Sequence, residues 1–163
     1  MTGEPVHCLV EIPKGSRNKY QWDERLGGIK LERFLFSSVV YPTDYGFIPD
    51  TRSPKGEPLD AMVCVSAATF PGCVIPVRVI AVFRTSDERG QDDKLLCVPH
   101  EDPNWSRLER LEDLPAQLRD EIAHFFSIYK QPEGKDVDVQ GWEDREVAEE
   151  LLSEARKRYA ERA

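Results

Sequence analysis

The order in which two hydrophobic periodicities follow each other is the feature that most constrains the fold of this chain. Short β-branched or apolar runs, separated by Pro and Gly, occupy roughly its first 100 residues, and such runs are typical of strands. Helical spacing of apolar residues is confined to the last third. Strands are predicted at 6–12, 59–67, 74–83 and 94–100, and a further, mostly extended segment at 31–50 is interrupted by Pro42, Gly46 and Pro49.

Two helices are predicted after these strands. The first begins near Asp113, a suitable N-cap, has Pro115 in its first turn, and ends at Tyr129-Lys130. The second covers 143–163, and its apolar stripe is formed by Val147, Leu151, Ala155 and Tyr159. Because the strands precede the helices without βαβ alternation, we expect an α+β fold whose antiparallel sheet is curled or closed.

Length and charge limit the organisation and the partners of the chain. Its 163 residues, 40% of them hydrophobic, suffice for one core, and we expect a single domain over 1–163. A formal net charge of -8 disfavours a nucleic-acid partner, because binders of the phosphate backbone need a basic face. The N-terminal sequence does not have the pattern of a signal peptide, and no run approaches the roughly 18 apolar residues of a membrane span. We therefore expect a cytoplasmic protein without a membrane partner.

The cysteines agree with a reducing compartment. Cys8, Cys64, Cys73 and Cys97 form no CxxC pair and lie among apolar residues. We expect them to be small buried thiols and predict neither a disulfide nor a zinc site.

Acidic residues at predicted strand ends and in loops are candidates for chemistry, whereas the acids of the helices are expected to form a solvated surface. Asp60 lies between Leu59 and the apolar run "AMVCV". An ionised carboxylate buried there needs a cation or a set of hydrogen-bond donors, while a strand-edge Asp60 would point to water. The local pattern leaves both alternatives open. The acids of this group are Glu11, Glu57, Asp60, Asp87, Asp92 and Asp93.

Basic and phenolic residues recur in similar positions and together suit an oxyanion. Hard oxygen ligands select Mg²⁺, which retains waters and shares its coordination with phosphates, so the basic residues and phenols would hold phosphoryl oxygens. Taken singly, each basic residue is also compatible with a role in solubility, and Lys130 with one at a helix C-terminus. The residues of this group are Lys19, Tyr20, Arg33, Tyr45, Lys94, Tyr129 and Lys130.

Most of the chain resembles the soluble family I inorganic pyrophosphatases, in the style of their actinobacterial-type members. The matching segments are "EIPKGSRNKY", "ERFLFSSVVYPTDYGFIPDT", "GEPLDAMV", "FPGCVIPVRVIAVFRTSDERGQDDKLLCVPHEDPNW" and "HFFSIYK". The resemblance implies a small closed, OB-like β-barrel with flanking C-terminal helices. It also implies Mg²⁺-dependent hydrolysis of diphosphate to two phosphates by a homo-oligomer, which is usually a hexamer in bacterial members.

The resemblance also implies roles for individual residues. Asp60 and Asp92 would bridge metal ions, Asp92 would also take part in catalysis, and Glu57 would activate the attacking water. The metal ligands would be Glu11, Asp60, Asp87 and Asp92. The substrate-binding residues would be Lys19, Arg33, Tyr45, Lys94, Tyr129 and Lys130.

Three acidic positions of the family pattern are altered in this chain. The D-x-D-P-x-D loop of the family reads "KGEPLD" here, so Lys55 and Glu57 replace two aspartates while Asp60 is retained, and Gln21 replaces a common Glu. Each unit of charge at about 4 Å is worth about 4 kcal/mol at an effective dielectric of about 20, so an ammonium in place of a carboxylate weakens metal binding. This expectation changes if the ammonium of Lys55 turns outward or stands in for part of a metal's charge.

Three functions are compatible with these observations. The first is Mg²⁺-dependent hydrolysis of diphosphate, with a turnover that the replacements reduce. The second is a non-catalytic paralogue that binds diphosphate or a phosphorylated ligand, for which Lys55, Glu57 and Gln21 argue. The third, a barrel-type nucleic-acid module, is disfavoured by the net charge.

Overall fold

The computed structural model describes residues 5–35 and 37–162, with all strands but the last preceding the helices. Its α-helices are α1 (Ala116–Ile128) and α2 (Arg145–Ala160), and short 3₁₀ turns lie at Leu111–Asp113 and Gln131–Glu133. Phe36 and Ala163, which belong to the predicted segments 31–50 and 143–163, lie outside the described residues. The strands are β1 (Val6–Ile12), β2 (Asn18–Asp23), β3 (Gly28–Phe34), β4 (Asp44–Ile48), β5 (Leu59–Val63), β6 (Val74–Asp87), β7 (Gly90–Pro99) and β8 (Asp138–Asp144).

The main sheet closes on itself into a small barrel. The strand order β1-β4-β5-β7-β6 returns to β1, because β1 pairs with both β4 and β6, and β8 extends the sheet from β6. These pairings are antiparallel except the one between β5 and β7, which is parallel. The predicted α+β fold, a small closed barrel with C-terminal helices, is confirmed, with one parallel pair in an otherwise antiparallel barrel.

The pairing of β7 brings charged residues from separate parts of the sequence to one end of the barrel. In the parallel pair, Asp60 on β5 lies opposite Lys94 on β7. In the antiparallel pair of β6 with β7, Thr85 lies opposite Asp92, and Asp87 lies at the connecting turn opposite Gly90. The acids of β5, β6 and β7 therefore meet where β5 begins.

The structure corrects several predicted strand bounds. The strand predicted at 59–67 ends at Val63. The strand predicted at 74–83 is β6, which continues to Asp87, and the strand predicted at 94–100 is β7, which already begins at Gly90. They are longer because their hydrogen-bonded ladder continues past the apolar core into polar sequence. The β2–β3 hairpin and β8 were not predicted as separate elements, since they are mostly half-buried or exposed and have no clear apolar alternation.

The helix starts also differ from the prediction. Asp113 is not the N-cap of α1: it ends a 3₁₀ turn, where its carboxylate accepts hydrogen bonds from the backbone N–H groups of Glu109 and Arg110. Pro115 takes the cap position of α1 without a side-chain bond. The second helix starts at Arg145 rather than at 143, because Asp144 caps it by accepting a hydrogen bond from the backbone N–H of Arg145 at 2.7 Å.

Apolar side chains pack on both faces of the sheet, each with its own helix. Along β7, Leu96 and Val98 belong to the cluster around α1, while Leu95 and Cys97 belong to the cluster around α2, as the two-residue period of a strand requires. The α1 cluster contains the aromatic side chains nearest the charged end of the barrel, namely Tyr41, Tyr45, Phe83, Phe125, Phe126 and Tyr129.

All four cysteines are free thiols. Cys8, Cys64 and Cys97 are buried, whereas Cys73 is partly exposed. Within residues 5–35 and 37–162, none of the helices has the length and apolar character needed to cross a membrane.

Gly46 on β4 provides a test of the barrel closure. A Cβ atom at this position would lie 1.9 Å from the carbonyl oxygen of Leu9 on β1, so Gly46→Ala must separate the two strands. We expect a loss of roughly 2–4 kcal/mol in the free energy of unfolding, measured by denaturant titration. Gly28→Ala is the control, because a Cβ there meets nothing within 4 Å. Equal stability of the two variants would contradict the close contact between β1 and β4.

Candidate active site

The candidate active site is built around the buried ammonium group of Lys94 on β7. This side chain is 1% exposed, and its Nζ lies 3.0 Å from Asp92 Oδ2 and 3.8 Å from Asp60 Oδ2. The ring centroids of Tyr45 and Phe126 lie 5.6 and 5.1 Å from the same nitrogen. Burial alone would lower the pKa of Lys94, but the two carboxylates raise it, so the group is an ammonium.

Asp60 and Asp92 have different surroundings. Asp60 accepts a hydrogen bond of 2.7 Å from the Tyr45 hydroxyl, and burial raises its pKa although Lys94 is near. Asp92 has an ammonium group near each oxygen, Lys94 at Oδ2 and Lys55 at Oδ1, the latter at 3.8 Å. Burial would raise the pKa of Asp92, but these lysines hold it below its ordinary value. Asp92 is therefore the more firmly ionised of the two carboxylates.

A tight turn at 53–57 directs Lys55 into the site. The Gly56 N–H donates to Ser53 O at 2.9 Å, and the Ser53 N–H donates to Glu57 O at 2.6 Å. Gly56 has φ 88°, a backbone conformation that glycine adopts without steric cost. The Lys55 side chain is 14% exposed and approaches Asp92. The ammonium group thus faces the carboxylates, and the outward orientation considered from the sequence is not the one found.

Glu57, predicted to activate water, lies on the other side of this turn. Its Oε2 accepts a hydrogen bond of 2.7 Å from Arg89, and both side chains are about half exposed. The structure therefore does not bring Glu57 into contact with Asp60 or Asp92. Its charge is nevertheless close enough to contribute to the raised pKa of Asp60, whose main cause is burial.

A second ion pair joins the end of β6 to the end of α1. Lys130 Nζ lies 3.0 Å from Asp87 Oδ2, and the Arg89 N–H donates to Asp87 Oδ1 at 2.9 Å. Burial would raise the pKa of Asp87, but Lys130, the Arg89 N–H and Lys55 together lower it. Asp87 and Lys130 are thus brought beside the Asp92 cluster, with Lys55 acting on both acids.

Two further predicted basic residues, Lys19 and Arg33, lie on the β2–β3 hairpin and form ion pairs there and with the 3₁₀ turn Gln131–Glu133. Lys19 Nζ is 2.6 Å from Glu32 Oε1, and Arg33 forms an ion pair with Glu133. Neither base contacts the Asp60–Asp92 cluster directly. Sequence reasoning did not identify Glu32 and Glu133 as partners. No signal in the sequence marks Glu32, because the hairpin register shifts between Lys19, opposite Arg33, and Tyr20, opposite Leu31.

Glu11 and Tyr129 border the same region. The carboxylate of Glu11, at the end of β1, accepts a hydrogen bond of 2.8 Å from the Trp22 N–H. Burial nevertheless raises the pKa of Glu11 to about 7. Burial also raises the pKa of the Tyr129 phenol, so this hydroxyl remains a donor. These two residues lie near the carboxylates without a direct contact between them and Asp60 or Asp92 among the described interactions.

Asp93 faces away from Asp92, because adjacent residues of a strand point to opposite faces. Its carboxylate is 3.2 Å from Arg84 on β6, and Arg84 also pairs with Glu143 at 2.7 Å. Asp93, which was not among the predicted metal ligands, belongs to an ion-pair network of β6, β7 and β8.

The carboxylates do not by themselves form a complete metal site. Within residues 5–35 and 37–162, no group of three or more Asp, Glu, His or Cys side chains is arranged to hold a metal ion. Two carboxylates, those of Asp60 and Asp92, do converge on one cation, the ammonium of Lys94. The site can therefore offer hard oxygen donors to a cation that takes its remaining ligands from water or from a substrate.

Comparisons with known proteins agree on one family. The family model described as inorganic pyrophosphatase matches residues 8–160. An inorganic pyrophosphatase of Methanosarcina mazei is 51% identical over 162 residues, which are 99% of this chain and 96% of that protein. One of Streptomyces coelicolor is 49% identical over 151 residues, 92% and 93% of the two chains. The crystal structure of inorganic pyrophosphatase from Thermus thermophilus has a TM-score of 0.93 and 41% identity, covering 98% of this chain and 93% of that one.

The pKa of Glu11 generates a prediction for stability in the presence of a chelator. Folded Glu11 keeps its proton up to about pH 7, whereas its ordinary pKa is 4.5, so stability falls as the pH rises through this window. Glu11→Gln keeps an acceptor for the Trp22 N–H but does not titrate. We expect Glu11→Gln to have a higher denaturation midpoint than the parent at about pH 8. Below that pH, its midpoint should depend less on pH than the midpoint of the parent does. Glu149→Gln, on the exposed face of α2, is the control, and parallel profiles for parent and Glu11→Gln would contradict the assignment.

Proposed function

The chain belongs to the inorganic pyrophosphatase family, and from this premise we propose how it hydrolyses inorganic diphosphate to two phosphate ions. The observation that carries the proposal is the cluster at the start of β5, where acids and lysines alternate around Asp92. Such a set can bind an anionic substrate and a cation side by side. The curated relatives described above are called inorganic pyrophosphatases, so the comparisons favour the hydrolase over a non-catalytic paralogue.

Mg²⁺ is the proposed metal, and Asp60 and Asp92 are its central ligands. Their convergence on the ammonium of Lys94 supports this assignment, because the same carboxylate oxygens are suited to a hard cation. Asp87 and Glu11 are proposed as the remaining protein ligands at the border of the cluster. When bound, Mg²⁺ lowers the pKa of a coordinated water and neutralises charge on the phosphate oxygens.

The substrate-binding residues are proposed to exchange carboxylate partners for phosphoryl oxygens. Lys94, Lys130 and Lys19 each pair with an acid at 3.0 Å or less. An incoming diphosphate offers these ammonium groups more concentrated negative charge than a single carboxylate does. Arg33 exchanges its partner in the same way, and Tyr45 and Tyr129, whose pKa values burial raises, contribute hydroxyl donors.

Glu57 is proposed as the general base that receives a proton from the attacking water. To do so it must leave Arg89, with which it forms an ion pair between two half-exposed side chains. Exposed pairs of this kind contribute only about 0–1 kcal/mol, so their opening costs little. Asp92 is proposed to take part in catalysis through its ionised carboxylate, which stays next to the reacting groups as a metal ligand.

Assembly and location are part of the same proposal. Large apolar side chains are exposed on the β2–β3 hairpin and around the start of β6, a distribution that supports burial in a homo-oligomer, with a hexamer as the expected size. The four free thiols support a cytoplasmic location. No nucleic-acid or membrane partner is proposed. The exposed apolar residues include Leu26, Leu31, Phe34, Phe70 and Val74.

The metal requirement can be tested directly on the purified chain. Phosphate release from diphosphate is expected to require Mg²⁺ and to stop in excess chelator, because the carboxylates then have no cation to present to the substrate. Release is measured colorimetrically over a Mg²⁺ titration. Turnover in excess chelator would refute the metal requirement. Tight diphosphate binding without turnover at any Mg²⁺ concentration would restore the non-catalytic alternative.

Two adjacent aspartates offer a matched test of the site assignment. Asp92→Asn removes the charge that faces Lys94 and Lys55, and we expect turnover to fall by on the order of a hundredfold or more. Asp93→Asn keeps turnover close to that of the parent, because Asp93 faces Arg84 on the opposite side of β7. Turnover and thermal midpoint are measured for both variants. Equal losses of turnover at equal stability would contradict the assignment of the site to the Asp92 face.

A further inference from the structure

We infer that the ammonium group of Lys55 serves as a built-in cation of the active site, occupying the place and part of the charge of one divalent metal ion. The inference rests on the proposed function, since it concerns how the same site obtains its positive charge. It predicts that the chain needs one Mg²⁺ fewer per site than a variant with a carboxylate at this position.

The position of Lys55 is fixed by the backbone. The turn at 53–57 is closed by two backbone hydrogen bonds and by the left-handed conformation of Gly56, and it directs Lys55 inward and Glu57 outward. The Lys55 side chain is 14% exposed, in contrast to the 59% of Arg89, which forms the outward pair of the same region. Lys55 is therefore a component of the site and not a solvated surface lysine.

The distance to Asp92 indicates an electrostatic role. Lys55 Nζ lies 3.8 Å from Asp92 Oδ1, which is close enough for charge attraction but beyond hydrogen-bond distance. Among the described residues, the ammonium group of Lys55 makes no hydrogen bond that would use its donors. The ammonium group thus neutralises a carboxylate while its N–H groups remain available to a phosphoryl oxygen. A metal ion that binds a carboxylate and a phosphate at the same time has the same role.

The surrounding charges disfavour a metal ion at Asp92 Oδ1 while the ammonium group of Lys55 faces that oxygen. Asp92 Oδ1 faces Lys55, whereas Oδ2 faces Lys94 at 3.0 Å, the lysine that is proposed to move to the substrate and leave this oxygen to a metal ion. Lys55 also acts on Asp87, whose own ammonium partner is Lys130 at 3.0 Å. A divalent ion bound at Asp92 Oδ1 would approach its oxygen to about 2.1 Å and would repel the ammonium of Lys55 at close range. One cation or the other can occupy this place.

Two substitutions of Lys55 distinguish the effect of losing the ammonium group from the effect of gaining a carboxylate ligand. Lys55→Asp removes the ammonium and adds a carboxylate, whereas Lys55→Met removes the ammonium and keeps a side chain of similar length. Lys30→Asp is the matched control, because it makes the same charge change at an exposed lysine, which pairs with Asp23 on the β2–β3 hairpin. Thermal midpoints in chelator establish that each variant is folded.

The first measurement is the number of Mg²⁺ ions bound per chain, by isothermal titration with Mg²⁺ alone and again with inorganic phosphate present. We expect Lys55→Asp to bind one ion more than the parent, and Lys30→Asp to bind the same number as the parent. An unchanged stoichiometry and affinity in Lys55→Asp would overturn the inference. This outcome does not depend on turnover, so it is distinguishable from a failure of the parent to hydrolyse diphosphate.

The second measurement is diphosphate hydrolysis as a function of Mg²⁺ concentration. Lys55→Met has neither the ammonium nor a replacement ligand, so its turnover at saturating Mg²⁺ should fall by at least about tenfold relative to the parent. Lys55→Asp should recover turnover above that of Lys55→Met, with a steeper dependence on Mg²⁺. Turnover of Lys55→Met equal to that of the parent would show that the ammonium does not act on the substrate and would overturn the inference.

Discussion

The burial of one ammonium group, that of Lys94, is the interaction on which the rest of the site depends. A lysine that is 1% exposed cannot remain charged in a protein interior without acidic partners, and Asp60 and Asp92 provide them. The parallel pairing of β5 with β7 sets Asp60 opposite Lys94, so the barrel topology itself brings the first carboxylate to the ammonium. The carboxylates that balance the charge of Lys94 thus place several oxygen atoms at one end of the barrel, where they are suited to a metal ion.

The pairing of each base with an acid would couple the proposed binding of substrate and metal. Lys94 is held by Asp92, and Lys130 by Asp87, at 3.0 Å in both cases. A diphosphate that drew these ammonium groups away would leave the two carboxylates without those partners and make them better ligands for a cation. A cation held by these carboxylates would in turn release the lysines for the substrate. By linkage the two effects are equal in size, so each ligand strengthens the binding of the other.

The sequence predicted those parts of the structure whose cause is local. The strands β1, β5, β6 and β7 have buried apolar faces and were recognised by composition, whereas the β2–β3 hairpin and β8 are too exposed to show a pattern. The family resemblance predicted the closed barrel. The contact between Asp60 and Lys94 requires a parallel pairing between distant segments, and the inward direction of Lys55 requires a turn closed by Gly56, so neither follows from periodicity. The roles of the candidate site residues stay predictions.

The two lysines that face Asp92 differ in what the fold requires of them. Lys94 lies within β7 and balances two carboxylates, so its removal would leave Asp60 without its cation and Asp92 with Lys55 alone, at a cost in stability. Lys55 lies on a turn outside the strands, at a longer distance and with more solvent. The barrel therefore tolerates a change of charge at position 55 far better than at position 94. A loop position of this kind can exchange a carboxylate for an ammonium, and hence change how the site obtains its positive charge, without disturbing the strands that hold the other ligands.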